Sequence, residues 1–106
     1  MNIYITDTYS DGKNWYRKYS NGWVEQGGYI DSLYDAKVTL YVPMKDTNYT
    51  VLTGKNYDIS STVGSSAAIN VYSKTTTDFT VNGRGQGGKG YGEAISGSWT
   101  VYGFAK

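Results

Sequence analysis

Nine carboxylates and ten cationic side chains, with no histidine and no cysteine, set the chemistry open to this chain. Without His, the commonest general base and the commonest metal ligand are missing. Serine and threonine nucleophiles have no imidazole partner, and a lysine base is left as the formal alternative. Metal sites built from Cys or His are excluded by composition. A glycosidase needs two carboxylates roughly 5–10 Å apart across a cleft, and Asp31 with Asp35 is a pair that sequence leaves open. Most of the nine, however, stand beside turn residues, where Asp closes a turn by accepting nearby backbone N–H groups. An oxygen-only calcium site needs clustered carboxylates. Asp7-Thr8-Tyr9-Ser10-Asp11-Gly12 echoes such a loop but lacks the later Glu, so it reads as a turn. The expectation is a binding role with no catalytic residue, no metal and no cofactor.

The second chemical feature is Gly83-Arg84-Gly85-Gln86-Gly87-Gly88-Lys89-Gly90-Tyr91-Gly92, with six glycines in ten positions. A phosphate-cradling loop needs a following helix whose N-terminus faces the anion. Glu93-Ala94-Ile95-Ser96-Gly97 is too short for that helix. Two readings remain open. One is a long hairpin loop with no ligand. The other is a binding loop, in which Gly lets backbone approach a ligand while Arg84, Gln86, Lys89 and Tyr91 supply donors and a ring.

The elements that must position these residues are strands. The chain has 106 residues, enough for one domain. Twelve Tyr, three Trp and two Phe suit a pleated surface and also a contact surface. Sustained 3.6-residue apolar spacing is absent, and period-two alternation with turn residues recurs. The net charge of +1 argues against an electrostatically driven nucleic-acid binder. No apolar run is long enough for a transmembrane helix, and Met1-Asn2-Ile3-Tyr4-Ile5 does not resemble a signal peptide. A small cysteine-free domain acting outside a cell needs a stabiliser other than disulfides, and oligomerisation supplies one.

The clearest unit is Asn14 to Gly28, centred on Asn21-Gly22, a type I′ hairpin signal. A two-residue loop pairs Tyr19 with Val24, Lys18 with Glu25 and Arg17 with Gln26. One face then carries Trp15, Arg17, Tyr19 and Val24, and the other carries Tyr16, Lys18 and Trp23. Both faces are aromatic, which points to cover from a neighbouring chain. Further strands are expected over Ala36–Val42, Tyr49–Thr53, Ala67–Tyr72, Asp78–Asn82 and Ser98–Phe104, with Pro43 stopping the first. Lys55–Gly64 and Gly83–Ser98 read as loops, and Met1–Gly12 as a short strand or linker. The expected fold is all-β: an antiparallel β-sandwich of six to seven short strands that begins with the tight Asn-Gly hairpin. Residues 1–12 are assigned to a linker or shaft connection, and 13–106 to the sandwich.

The segment Asn14-Trp15-Tyr16-Arg17-Lys18-Tyr19-Ser20-Asn21-Gly22-Trp23-Val24-Glu25-Gln26-Gly27-Gly28 resembles WYRKWSDGWIEQGG, at the start of the C-terminal domain of many bacteriophage tail fibre proteins. Val38–Val42, Asp46–Val51, Thr75–Val81 and Trp99–Gly103 resemble later steps of the same family, so the resemblance spans roughly Tyr9 to Phe104. It implies a receptor-binding knob at the distal end of a homotrimeric fibre, part of the virion and acting outside the host cell. The implied partner is a bacterial surface glycan or an outer-membrane component, with no nucleic acid and no membrane insertion. The pattern around Phe79 is also similar to that of H-type lectins, which are sugar-binding sandwiches. In such a trimer Trp15, Tyr16, Tyr19 and Trp23 would lie near the threefold axis or a subunit boundary, and their rival role is stacking on sugar. Arg84, Lys89 and Tyr91 would contact the ligand, and a phosphorylated glycan would suit the two cations. The chain departs from the family in its longer glycine-rich stretch and in Asp78, where Gly is frequent. The alternatives are a structural trimerisation cap with no ligand of its own and a free sugar-binding lectin.

Overall fold

The computed structural model describes residues 2–31, 35–55, 67–85 and 96–106. Eight strands are described: β1 (Ile5–Ser10), β2 (Trp15–Tyr19), β3 (Trp23–Ile30), β4 (Ala36–Thr39), β5 (Thr50–Lys55), β6 (Ala67–Tyr72), β7 (Asp78–Gly85) and β8 (Gly97–Phe104). They form two antiparallel sheets, of order β1-β2-β3-β8-β5 and β4-β7-β6. The fold is the expected small all-β sandwich, with eight described strands against the six to seven expected and with β1 ahead of the hairpin. Within residues 1–12, Ile5–Ser10 is a strand paired with β2, and every one of its residues is exposed.

The core follows from alternation. β3 and β8 pair from Trp23↔Phe104 to Ile30↔Gly97. Side chains of directly opposed residues share a face. Val24, Gln26, Gly28 and Ile30 therefore face inward with Trp99 and Val101, and β5 adds Val51 opposite Val101. Val38 opposite Phe79 and Ala36 opposite Val81 supply the facing layer. Phe79 and Trp99 meet edge to face across the sandwich at 5.7 Å between ring centroids. β1 and β2 contribute nothing to the cluster of buried apolar residues.

The hairpin register differs from expectation by one residue. Lys18 pairs with Val24, Arg17 with Glu25 and Tyr16 with Gln26. The turn is longer than two residues: Gly22 N–H donates to Tyr19 O at 3.0 Å, and Gly22 takes φ +92°. Asn21 does not need φ > 0; its side-chain oxygen accepts from Trp23 N–H at 3.0 Å instead. This is the three-residue loop with glycine in the left-handed position. A one-residue slip moves every side chain of β3 to the opposite face. Trp23 therefore joins Trp15, Arg17 and Tyr19, while Val24 joins Tyr16 and Lys18 and enters the core. The expected Lys18–Glu25 pair is replaced by Arg17–Glu25, with Nε to Oε1 at 3.3 Å.

Four expected strand boundaries also move. The strand expected over Ala36–Val42 ends at Thr39, yet Leu40 and Val42 stay buried. The reason is Gln26, whose exposure is 0%. Its Oε1 accepts from Tyr41 N–H at 2.9 Å and Val42 N–H at 3.1 Å, and its Nε2 donates to Val42 O at 2.9 Å. One side chain thus stands in for a neighbouring strand and satisfies backbone groups whose burial would otherwise be costly. Gly83-Arg84-Gly85, expected in a loop, continues β7 opposite Ala67, Ala68 and Ile69. Gly97 and Ser98 likewise belong to β8, and Lys55 ends β5.

The sandwich has two distinct ends. At one lie the Ser20–Gly22 turn, residues 2–4 and the C-terminus: Ser20 N–H donates to Tyr4 O, and Ala105 N–H to Gly22 O, both at 2.8 Å. At the other, Ile30 and Lys55 both pair with Gly97, and Ala67 pairs with Gly85. β3, β5 and β7 all end here.

Candidate functional site

The outer face of the five-stranded sheet is aromatic. Trp15, Arg17 and Tyr19 of β2 lie beside Trp23 and Glu25 of β3, and these beside Tyr102 and Phe104 of β8. The Trp23 ring meets Tyr102 at 5.7 Å and Phe104 at 5.2 Å between centroids. Leu52 and Phe104 are 52% and 49% exposed on this face. Gly27 lets the Trp15 ring lie flat on the sheet; a Cβ there would come within 2.8 Å of that ring and 2.6 Å of Trp99 O. Glu25 sits among the rings. Burial opposes its charge, but hydrogen bonds from Tyr19 Oη (2.9 Å) and Arg17 Nε (3.3 Å) outweigh that and hold it below the usual range. Of the four aromatic residues singled out in the hairpin, the structure brings Trp15, Tyr19 and Trp23 together here.

Tyr16, the fourth, is on the opposite face, in a second cluster. Its ring stacks on Tyr9 at 5.5 Å, and Tyr41 closes against Tyr9 at 5.3 Å. The positioning is local for two of the rings. Asp11 closes the β1–β2 turn by accepting Lys13 N–H at 2.8 Å and Asn14 N–H at 2.6 Å through Oδ1. That turn sets Tyr9 opposite Tyr16. The backbone donors of Asn14 and Lys13 pull the Asp11 carboxyl down to about 2. Its Oδ2 accepts Tyr9 Oη at 3.1 Å and Tyr41 Oη at 3.2 Å. Tyr16 Oη donates to Asp7 at 3.2 Å. Desolvation, followed by the adjacent carboxylate, raises the phenol pKa of Tyr9 and of Tyr16. Tyr41 reaches the cluster because Gln26 anchors its backbone.

Beside Tyr41 opens a cleft of about 350 Å³ between the Asp11–Asn14 turn and β4. Lys13, Asn14, Asp31, Lys37 and Trp99 are among its walls. Lys13 and Asp31 form an exposed ion pair at 3.3 Å. Gly28 is what lets Asn14 Oδ1 and the Trp99 indole nitrogen converge there, since a Cβ at Gly28 would collide with both.

Of the expected ligand contacts, Arg84 is placed in β7 opposite Ala68. Gln86, Lys89 and Tyr91 lie outside the described residues, as do residues 56–64 of the other expected loop. Asp35 of the Asp31–Asp35 pair accepts Tyr72 Oη at 2.7 Å, while Asp31 is engaged by Lys13. The tyrosine cluster was not read from the sequence. The signal for its first half is the Asp11-Gly12-Lys13-Asn14 turn, which fixes Tyr9 across from Tyr16; Tyr41 arrives through a contact 15 residues away from Gln26 and has no local signal.

No protein-family model and no curated protein matches this chain. Among solved structures it is similar to the N-truncated R2-type pyocin tail fiber, at 20% sequence identity and a TM-score of 0.59. The likeness covers 97% of this chain and 38% of that one. At this identity the two share a fold.

Proposed function

We propose that this chain is the tip domain of a phage or phage-tail-like fibre that assembles as a homotrimer and attaches its particle to a bacterial surface receptor. The receptor is a surface glycan or an outer-membrane component, met outside the host cell, and the role is binding without catalysis. The observation that carries this reading is the fold shared with a pyocin tail fibre over nearly the whole chain. The two-ended architecture supports it. A shaft joined at residues 2–4 would put the ends of β3, β5 and β7 on the far side, facing the host. Three linked copies would raise avidity with no new contact. Arg84, Gln86, Lys89 and Tyr91 are assigned to the ligand in this reading.

A structural trimerisation cap with no ligand is the second reading. The outer aromatic face favours it, because that face suits assembly alone.

The test is labelling of whole cells from a broad strain panel by the purified fluorescent chain. The parallel variant carries Arg84→Ala, Lys89→Ala and Tyr91→Ala after its fold and mass are confirmed. Labelling of some strains by the intact chain is expected. Labelling of none, host of the parent particle included, replaces the adhesin reading with the cap.

A further inference from the structure

We infer that the cleft beside Tyr41, together with the Tyr9–Tyr16–Tyr41 cluster, is a binding site for a neutral saccharide. This rests on the adhesin reading for where the sugar comes from, and on the geometry for what it is.

The cleft volume of about 350 Å³ lies in the range of small-ligand sites, roughly 300–1,000 Å³. Its walls mix two ammonium groups (Lys13, Lys37), a carboxylate (Asp31), an amide (Asn14) and a phenol (Tyr41) around a largely buried indole, Trp99. That is a dense supply of donors and acceptors with an aromatic floor. A pyranose offers the complement: hydroxyls around its rim and C–H groups on its faces. The C–H face suits the negative face of an aromatic ring, and Tyr9 and Tyr41 stay 39% and 44% exposed.

The rings are held in place before any ligand arrives. Asp11 accepts two backbone N–H groups and two phenol hydroxyls, which fills the four acceptor sites of a carboxylate. Asp11 is therefore a positioning residue. Asn14 Nδ2 donates to Tyr41 Oη at 3.3 Å and ties the cluster to the cleft. Holding side chains in a binding geometry lowers the ordering cost of association.

Charge selects among occupants. Among the described residues, neither Asp7 nor Asp11 makes an ion pair within 4.0 Å, although Lys18 stands opposite Asp7 with its Nζ 5.8 Å from the Tyr16 ring centre. Covering them with another protein surface would bury unneutralised carboxylates, which is costly. With Lys13, Lys18 and Lys37 beside Asp7, Asp11 and Asp31, the patch also offers a polyanion no net attraction. A neutral hydroxylated ligand meets neither obstacle.

The test uses the full chain, fluorescently labelled, on immobilised purified bacterial polysaccharides with neutral or acidic repeat units, with whole cells in parallel. Tyr41→Ala removes the ring while leaving the backbone N–H that Gln26 accepts. Lys13→Ala is an independent variant on the cleft wall. Lys45→Ala, at the opposite end, controls for the loss of one cation. The expected result is wild-type binding to a neutral polysaccharide, at least tenfold weaker in Tyr41→Ala and in Lys13→Ala and unchanged in Lys45→Ala, with all four folded alike. Cell labelling without neutral-polysaccharide binding, or equal binding by both cleft variants, overturns the site and leaves the adhesin reading standing. Binding to acidic polysaccharides alone overturns it too. Labelling of neither cells nor polysaccharides removes both.

Discussion

The two faces of the β2–β3 hairpin use the same residue types for opposite ends. On the outer face, Trp15, Tyr19 and Trp23 surround Glu25, and Arg17 neutralises that carboxylate. On the inner flank, Tyr9, Tyr16 and Tyr41 surround Asp11 and Asp7, which phenols and backbone amides satisfy without a direct ion pair, Lys18 opposite Asp7 lying over the Tyr16 ring instead. The difference is one of burial cost. A paired charge among rings costs less to cover with a second subunit than an unpaired carboxylate, which is held to water or to a polar ligand. Aromatic content alone therefore does not identify an interface. The charge at the centre of the rings separates a surface suited to assembly from one suited to a ligand.

The sharpest break between core and flank is expected at Phe79, which is fully buried against Trp99. Phe79→Ala should lower unfolding free energy by about 3–5 kcal/mol in urea titration, whereas Tyr41→Ala should leave the midpoint near the wild-type value. Gln26→Leu should cost about 1–3 kcal/mol, because Tyr41 and Val42 N–H lose their acceptor. It should also release Tyr41 from the cluster, seen as loss of its ring contacts to Tyr9 in proton NMR. This variant couples the two regions, and no effect on Tyr41 would uncouple them.

Two pH effects separate the regions further. Asp11 titrates at about 2 when folded against 3.8 for the free side chain. Its contribution is present above pH 4 and lost as pH falls through 2, so amide exchange at Lys13 and Asn14 should rise there first. Tyr49 is pushed up to about 12, first by burial and then by the charge of Asp78. Its neutral form is favoured in the fold, so that stabilisation is present below pH 10 and lost as pH rises towards 12. Phenolate absorbance at 295 nm should show a component that titrates towards 12, which Tyr49→Phe removes.

The strands and the inward residues of the central pair were legible because period-two alternation survives in Val38, Phe79, Val81, Trp99 and Val101. The hairpin was legible but its register was not, since Asn-Gly fits both a two-residue turn and a three-residue loop ending in left-handed Gly22. That one-residue slip reassigned Trp23 and Val24 between faces. Gln26 gave no signal, because a polar residue inside an alternating strand reads as solvent-facing until the backbone it serves is known. Glycines 83 and 85 masked a strand by the same rule that marks loops, and Tyr41 joined its cluster only through tertiary contact.

The most direct test of the division between the two faces is the solution mass of the purified chain by light scattering, beside a Leu52→Ser/Phe104→Ser double variant. Three chains of 11.7 kDa, about 35 kDa together, are predicted for the wild type, and a single-chain mass for a variant that keeps its fold. A wild-type mass of one chain at micromolar concentration would contradict the account, because the outer rings would then stand uncovered in the working protein.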